Sequence, residues 1–328
     1  MNPPRVFSRR EFLATSAAAL AAARLATAAA TEAEPIIDIH QHTNYGGKRD
    51  VAFKQILPAR THEQLIAHQR AMGVTKTILL PAGREVFRAS THEGRSNGLE
   101  GTCSANDDCL ALARAHPKEF VFAANEVSDL PEAPEVVEKY LKLGAVAIAE
   151  QKFGVECDSA EMQKLYRLAE AYRVPILMHW QVGSYNYGFE RFHTMLKKYP
   201  RVNFIGHAQT WWANIDQANV DDAKALYPKG RVTPGGLTDR YLRDYPNMFG
   251  DLSAGSGASA FKRDPEHARA FMERHQDKLL YGSDCVDAFG ATEACSGSVQ
   301  IAQVRQFAPS KRVERKLLFE NAQKLFRF

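Results

Sequence analysis

Four apolar runs in this chain each stop on a side chain able to bind a metal. They are Ile36-Ile37-Asp38-Ile39-His40-Gln41-His42, Ile176-Leu177-Met178-His179, Val202-Asn203-Phe204-Ile205-Gly206-His207 and Leu279-Leu280-Tyr281-Gly282-Ser283-Asp284. One such run carries little information; four point to a shared site. Side chains alternate along a strand, so Asp38, His40 and His42 are expected on one face and Ile37, Ile39 and Gln41 on the other. An i, i+2 imidazole pair fixes two ligands for zinc or another borderline cation. By itself H-x-H is weak, and His179 and Asp284 at the ends of two further runs are what strengthen it. His207 is open to three roles, as a ligand, a proton-transfer group or a hydrogen-bonded structural residue, and we place it near the substrate.

These side chains need elements to hold them. Short runs rich in Ile, Val and Leu between helix-like stretches read as buried parallel strands, and in such folds the chemistry sits at the strands' carboxyl ends. The patterning predicts strands at 36–42, 74–81, 120–124, 145–150, 174–180, 202–207, 248–252 and 278–284, separated by helices at 61–72, 105–115, 133–143, 159–172, 189–198, 237–244 and 265–275, with a closing helix at 313–326. Eight strands alternating with helices predict an α/β chain folded as a (β/α)8 TIM barrel. An open doubly wound sheet commonly carries a Gly-rich phosphate loop, and none is present. Long loops over 82–104 and 208–236 fall on the carboxyl face, where they could cover a site.

The chain has 328 residues, 45% hydrophobic and 24% charged, which suits one barrel domain over 31–328. The first thirty residues read differently: Ser8-Arg9-Arg10-Glu11-Phe12-Leu13, an Ala-rich stretch broken by Arg24, then Ala28-Ala29-Ala30. This resembles a twin-arginine signal peptide over 1–30 with an A-x-A cleavage site, and the apolar part is weak for a membrane span. Its removal takes four arginines and one glutamate, lowering the net charge from +4 to +1. A nearly neutral product without a basic stripe argues against nucleic acid or anionic membrane as partner. We expect a soluble periplasmic enzyme, exported folded with its cofactor loaded, acting on a small molecule and able to form a homodimer. The five cysteines, Cys103, Cys109, Cys157, Cys285 and Cys295, form no C-x-x-C zinc pattern. Cys103 could pair with Cys109 and Cys285 with Cys295, but neither disulfide is required.

I-D-x-H-x-H at Asp38 to His42, M-H at His179, G-H at His207, Y-G-S-D at Asp284 and the closing F-E-N-A-x-K-L-F together resemble the amidohydrolase superfamily, in its amidohydrolase-2 group of decarboxylases and lactone hydrolases. Tyr245-Pro246-Asn247 and Asp251-Leu252-Ser253 are similar too. The resemblance implies a divalent metal, zinc or manganese, on His40, His42, His179 and Asp284, with His207 near the attacking water or the substrate and Asp284 as the acid/base group. A bound cation lowers the pKa of water to about 7 and polarises a carbonyl. Glu150 and Lys152 stand where two-metal members of the wider superfamily place a bridging ligand. A second metal shared with His207 is thus one reading; a polar pair, or a Lys152 that binds a substrate carboxylate, is the other. Trp180, Trp211 and Trp212 follow ligand-bearing strands and could stack on a ring, although aromatics there are also ordinary packing. Arg84 is a candidate anion anchor. His62, His68, His116, His193, His267 and His275 read as solvated or capping residues, whereas His92 lies in the long second loop.

The expected reaction is metal-dependent hydrolysis of a lactone, ester or amide, with nonoxidative decarboxylation of an aromatic or muconate-like acid as the alternative. The opening motif also resembles PHP-type phosphoesterases, but eight strands and the Gly282-Ser283-Asp284 ending argue against that fold.

Overall fold

The computed structural model describes residues 34–43, 49–50, 55–56, 60–82, 103–219, 226–287, 295–326 and 328. The expected signal segment over 1–30, Arg84, His92 and most of the loop over 82–104 lie outside the described residues. The barrel strands are β1 Ile37–Gln41, β2 Lys76–Leu79, β3 Phe120–Phe122, β4 Ile148–Gln151, β5 Ile176–His179, β6 Phe204–His207, β7 Met248–Asp251 and β8 Leu279–Leu280. Each falls inside a run predicted from sequence except β4, which continues one residue past the predicted end at 150.

All pairings between these strands are parallel: β1 with β2 and β2 with β3, then β4 through β8 in succession. A parallel bridge from Ala124 to Ile148 joins the two groups on one side. On the other side Ile39 N–H donates to Tyr281 O at 3.1 Å and Asp284 N–H to His40 O at 2.7 Å. The strands thus close on themselves as a (β/α)8 barrel. Arg49–Asp50 and Gln55–Ile56 form a short antiparallel ribbon between β1 and β2.

The helices are α1 His62–Ala71, α2 Asn106–Ala115, α3 Ala133–Lys142, α4 Ala160–Tyr172, α5 His193–Lys198, α6 Ala208–Ala213, α7 Leu237–Asp244, α8 Ala254–Lys262, α9 Pro265–Arg274, α10 Ser296–Phe307, α11 Lys311–Arg315 and α12 Asn321–Phe326. Local chemistry sets their limits. Thr61 and Gln64 form a reciprocal capping box on α1, and Ser159 caps α4, which ends at Arg173 in the left-handed region. Three helices have no counterpart in the sequence reading: α6, α8 and α10.

Two apolar layers hold the barrel. Ile37, Ile39, Ile78, Ala123, Ala147, Ala149, Leu177, Ile205 and Leu280 pack together as the lumen, closed by Ala322, Leu325 and Phe326 of α12. A larger layer separates strands from helices. The strict alternation expected along β1 does not hold. Ile37 and Ile39 face the lumen while Asp38 Oδ2 accepts from Gln69 of α1 at 2.8 Å, yet His40 and His42 both join the central cluster. A register irregularity between Asp38 and Gln41 resets the strand's faces there.

Candidate metal centre and active site

His40 and His42 are fully buried, and each ring has its inner nitrogen engaged. His42 Nδ1 donates to Leu80 O at 2.7 Å, and His40 Nδ1 lies 2.6 Å from Asp251 Oδ2. Such partners fix the tautomer that leaves the Nε2 lone pair available to a cation. The two Nε2 atoms are 3.2 Å apart. Glu150 Oε2 is 3.7 Å from His40 Nε2 and 3.5 Å from His42 Nε2, and Asp284 Oδ1 is 3.8 Å and 3.7 Å from the same atoms. Four donors around one ion, each about 2.1 Å from it, stand about 3.4 Å apart in a tetrahedron. His40, His42 and Asp284 therefore form one group able to hold a divalent cation, and Glu150 joins His40 and His207 in a second that shares the His40 ring.

The electrostatics agree with that fit. Burial alone would lower the His40 pKa, but the carboxylates of Asp284, Asp251 and Glu150 hold it well above its ordinary value. His42 is likewise pushed up to about 10 against the effect of burial, by Cys103 and Glu150. Burial would raise Asp284, yet the charges of His40 and His42 keep it far below the carboxylate range. The cluster holds more negative charge than its surroundings neutralise, and a divalent cation supplies what protons on the histidines otherwise would.

His179 and His207 are paired residues on neighbouring strands β5 and β6. His179 Nδ1 sits 2.6 Å from Glu150 Oε1, and its Nε2 lies 3.3 Å from Gln181 Oε1. In this arrangement His179 orients Glu150 beside the His40, His42 and Asp284 group. His207 Nδ1 lies 3.0 Å from Ser253 Oγ, while Nε2 stands 3.6 Å from Glu150 Oε1 and 3.7 Å from Asp284 Oδ2. Burial and then the charge of His40 lower the His207 pKa to about 4, so its ring is neutral near neutral pH.

Lys152, half-buried, points its Nζ toward the Tyr185 ring at 5.7 Å. Burial works against its charge, but Glu150 and Asp284 raise its pKa. Trp180 and Trp211 are fully buried in the strand–helix layer, Trp180 against Phe189 and Phe192, and Trp212 donates to Asp251 O at 3.1 Å. Ala208, Ala254 and Asp284 have positive φ of 81°, 61° and 41°, so backbone strain lies just past the ends of β6, β7 and β8.

The sequence reading did not place Asp251, Ser253 or Gln181 in the site. Asp251 carried a usable signal, since Met248-Phe249-Gly250-Asp251 is a fifth apolar run ending on a carboxylate. Arg60 had none. It is buried, donates to the carbonyls of Cys285, Asp287 and His42 and to Gln41 Oε1, and so braces the loops after β1 and β8.

No family model and no curated protein matches the sequence. Solved structures do share the fold. A probable 2-pyrone-4,6-dicarboxylic acid hydrolase from Acinetobacter baumannii aligns over 89% of this chain and 99% of its own at 14% identity and a TM-score of 0.58. An uncharacterized TIM-barrel protein from Bordetella bronchiseptica aligns over 89% and 98% at 16% identity and a TM-score of 0.57. The 5-carboxyvanillate decarboxylase of Sphingomonas paucimobilis aligns over 90% and 100% at 14% identity and a TM-score of 0.55.

Proposed function

We propose that this (β/α)8 chain is a metal-dependent hydrolase that cleaves a lactone, ester or amide bond of a small carboxylated substrate. The observation that carries the reading is the convergence of His40 Nε2, His42 Nε2 and Asp284 Oδ1 at ligand spacing, with Glu150 Oε2 beside both imidazoles and Asp284 held in its ionised form. A divalent cation held there supplies Lewis acidity toward a substrate carbonyl and lowers the pKa of water to about 7. Asp284, ionised and partly exposed, accepts the proton of the attacking water on a carboxylate oxygen and returns it to the leaving group. Neutral His207, with Nε2 3.7 Å from Asp284 Oδ2, orients that carboxylate or the substrate oxygen. Lys152 Nζ binds the substrate's carboxylate at the mouth.

Decarboxylation of an aromatic acid is the second reading. Lys152 beside Tyr185 would hold such an acid equally well, and the decarboxylase of the same fold supports it. The reactions separate in one screen. The purified chain, loaded with Zn2+ or Mn2+, is offered lactones, aryl esters and hydroxybenzoates while acid release and CO2 are both followed. Acid release without CO2 supports hydrolysis; CO2 from hydroxybenzoates alone overturns it in favour of the second reading.

We also propose export to the periplasm by the twin-arginine route, on the strength of Arg9-Arg10 before a modest apolar run. Changing both arginines to lysine is expected to strand the precursor in the cytoplasm, and unchanged export removes this assignment.

A further inference from the structure

We propose that Cys285, Cys295 and His68, with Met72 beside them, form a separate site for one thiophilic d10 cation, zinc(II) or copper(I). Cys285 Sγ is 3.0 Å from Cys295 Sγ, which in turn lies 3.5 Å from His68 Nε2 and 3.6 Å from Met72 Sδ. All four side chains are buried, and the cluster shares no donor with the one built on His40.

The hydrogen bonds around these atoms present lone pairs inward. Gln69 Nε2 donates to Asp38 Oδ2 at 2.8 Å, an acceptor only, which fixes the orientation of the amide. Gln69 Oε1 then faces His68 Nδ1 at 2.9 Å, so Nδ1 carries the proton and the Nε2 lone pair points at the sulfurs. Held this way, His68 has the outer-shell partner that metal-ligating imidazoles have. The Ser298 backbone N–H donates to Cys295 Sγ at 3.4 Å from the first turn of α10, which favours a thiolate there. Two thiolates, one imidazole and a thioether select zinc(II) or copper(I) over magnesium or manganese. Loading releases the proton of each sulfur still present as a thiol and forms two metal–sulfur bonds. The sulfurs open from 3.0 Å to about 3.7 Å, the spacing of thiolates held about 2.3 Å from a tetrahedral ion. Cys285 follows Asp284 directly and Cys295 caps α10, so the ion ties the end of β8 to α1 and α10 and pins the loop that carries Asp284.

The full chain, reduced and then loaded with Co2+ as a spectroscopic probe, tests the site independently of activity. The expected result is a near-ultraviolet thiolate-to-cobalt band that persists in the His40→Ala/His42→Ala protein and vanishes in Cys285→Ser/Cys295→Ser. Zn2+ and Cu+ loading, counted by elemental analysis of the same proteins, then tells the two cations apart. No band in the reduced parent overturns the proposal, as does a band that survives loss of both cysteines. Isolation of the chain with Cys285 and Cys295 linked as a disulfide overturns it too. If the double serine variant does not fold, the band in the His40→Ala/His42→Ala protein decides alone. None of these outcomes bears on the hydrolase reading.

Discussion

Asp284 N–H donates to the carbonyl oxygen of His40 at 2.7 Å, so the backbone of the first strand is bonded to the segment after the last one at the level of their candidate metal ligands. The side chains of the same two residues stand 3.8 Å apart, His40 Nε2 to Asp284 Oδ1. Asp284 reaches this position with φ of 41°, a conformation that costs a non-glycine residue free energy and that the His40 bond helps to hold.

Asp284→Asn should therefore cost turnover far more than binding. The amide oxygen can still approach the cation, but the group no longer accepts the proton of water. We expect kcat to fall by roughly 100-fold or more with KM little changed. A folded, metal-replete variant with parental turnover would assign Asp284 a structural role and move the test to His207.

Glu150→Ala should weaken metal binding at the His40 cluster, since the carboxylate beside both imidazoles is lost and His179 loses its 2.6 Å partner. The parent is expected to hold one divalent cation per chain at this cluster, with affinity reduced at least 10-fold in the variant, the loss typical even of outer-shell changes. Elemental analysis decides the count. Two ions at this cluster in the parent and one in the variant would place a second ion between Glu150, His179 and His207.

Gly282 has no room for a side chain. A Cβ there would meet Asp251 Oδ1 at 2.5 Å and His40 Cβ at 2.8 Å. Gly282→Ala should lower stability by about 1–3 kcal/mol through overpacking, and weaken metal binding by displacing His40. Thermal melts and metal titration check both, and a variant unchanged in each would show that the packing here yields freely.

Asp239 joins the start of α7 to the end of α9 and the residue after it: its Oδ1 lies 2.5 Å from His275 Nε2 and its Oδ2 3.2 Å from Arg274. Burial would raise its pKa, but the His275 hydrogen bond and the Arg274 charge hold it below the ordinary value. A depressed carboxyl stabilises the fold above its unfolded pKa of about 3.9, and that contribution is lost as pH falls through the lower folded value. Asp239→Asn should thus cost about 1.5–3 kcal/mol near neutral pH, the range for hydrogen bonds to charged groups. Denaturant melts should show the difference between parent and variant shrinking below about pH 4. A difference independent of pH would mean the carboxylate charge does not contribute.

The barrel was legible because each strand is an apolar run bounded by turn residues, and the site because those runs end on ligand-type side chains. What escaped the sequence was set by tertiary packing. Ala254-Gly255-Ser256-Gly257-Ala258-Ser259 has the composition of a turn, yet it forms the first two-thirds of α8, where a Cβ on Gly257 would meet Leu252 O at 2.1 Å. That close packing of Gly257 against the segment after β7 has no signature in the local sequence. Trp180 and Trp211 follow ligand-bearing strands, but no periodicity reveals that both turn into the strand–helix layer. The partner of each histidine is similarly hidden, since Asp251 lies 211 residues from His40.

The seam between β1 and β8 has a meaning in chain statistics. Every other strand pair closes a loop of a few tens of residues, whereas Ser283 meets Asp38 across 245 residues. Loop entropy grows slowly with length, so this closure costs roughly 1.5 kcal/mol more than a local one. Pairing of the first strand with the last must wait for nearly the whole polypeptide, and the donors on either side of it, His40 and Asp284, face one another only then. A cation held at the proposed site would act as a clasp on this long closure, and a fragment lacking either terminal strand would form no such clasp.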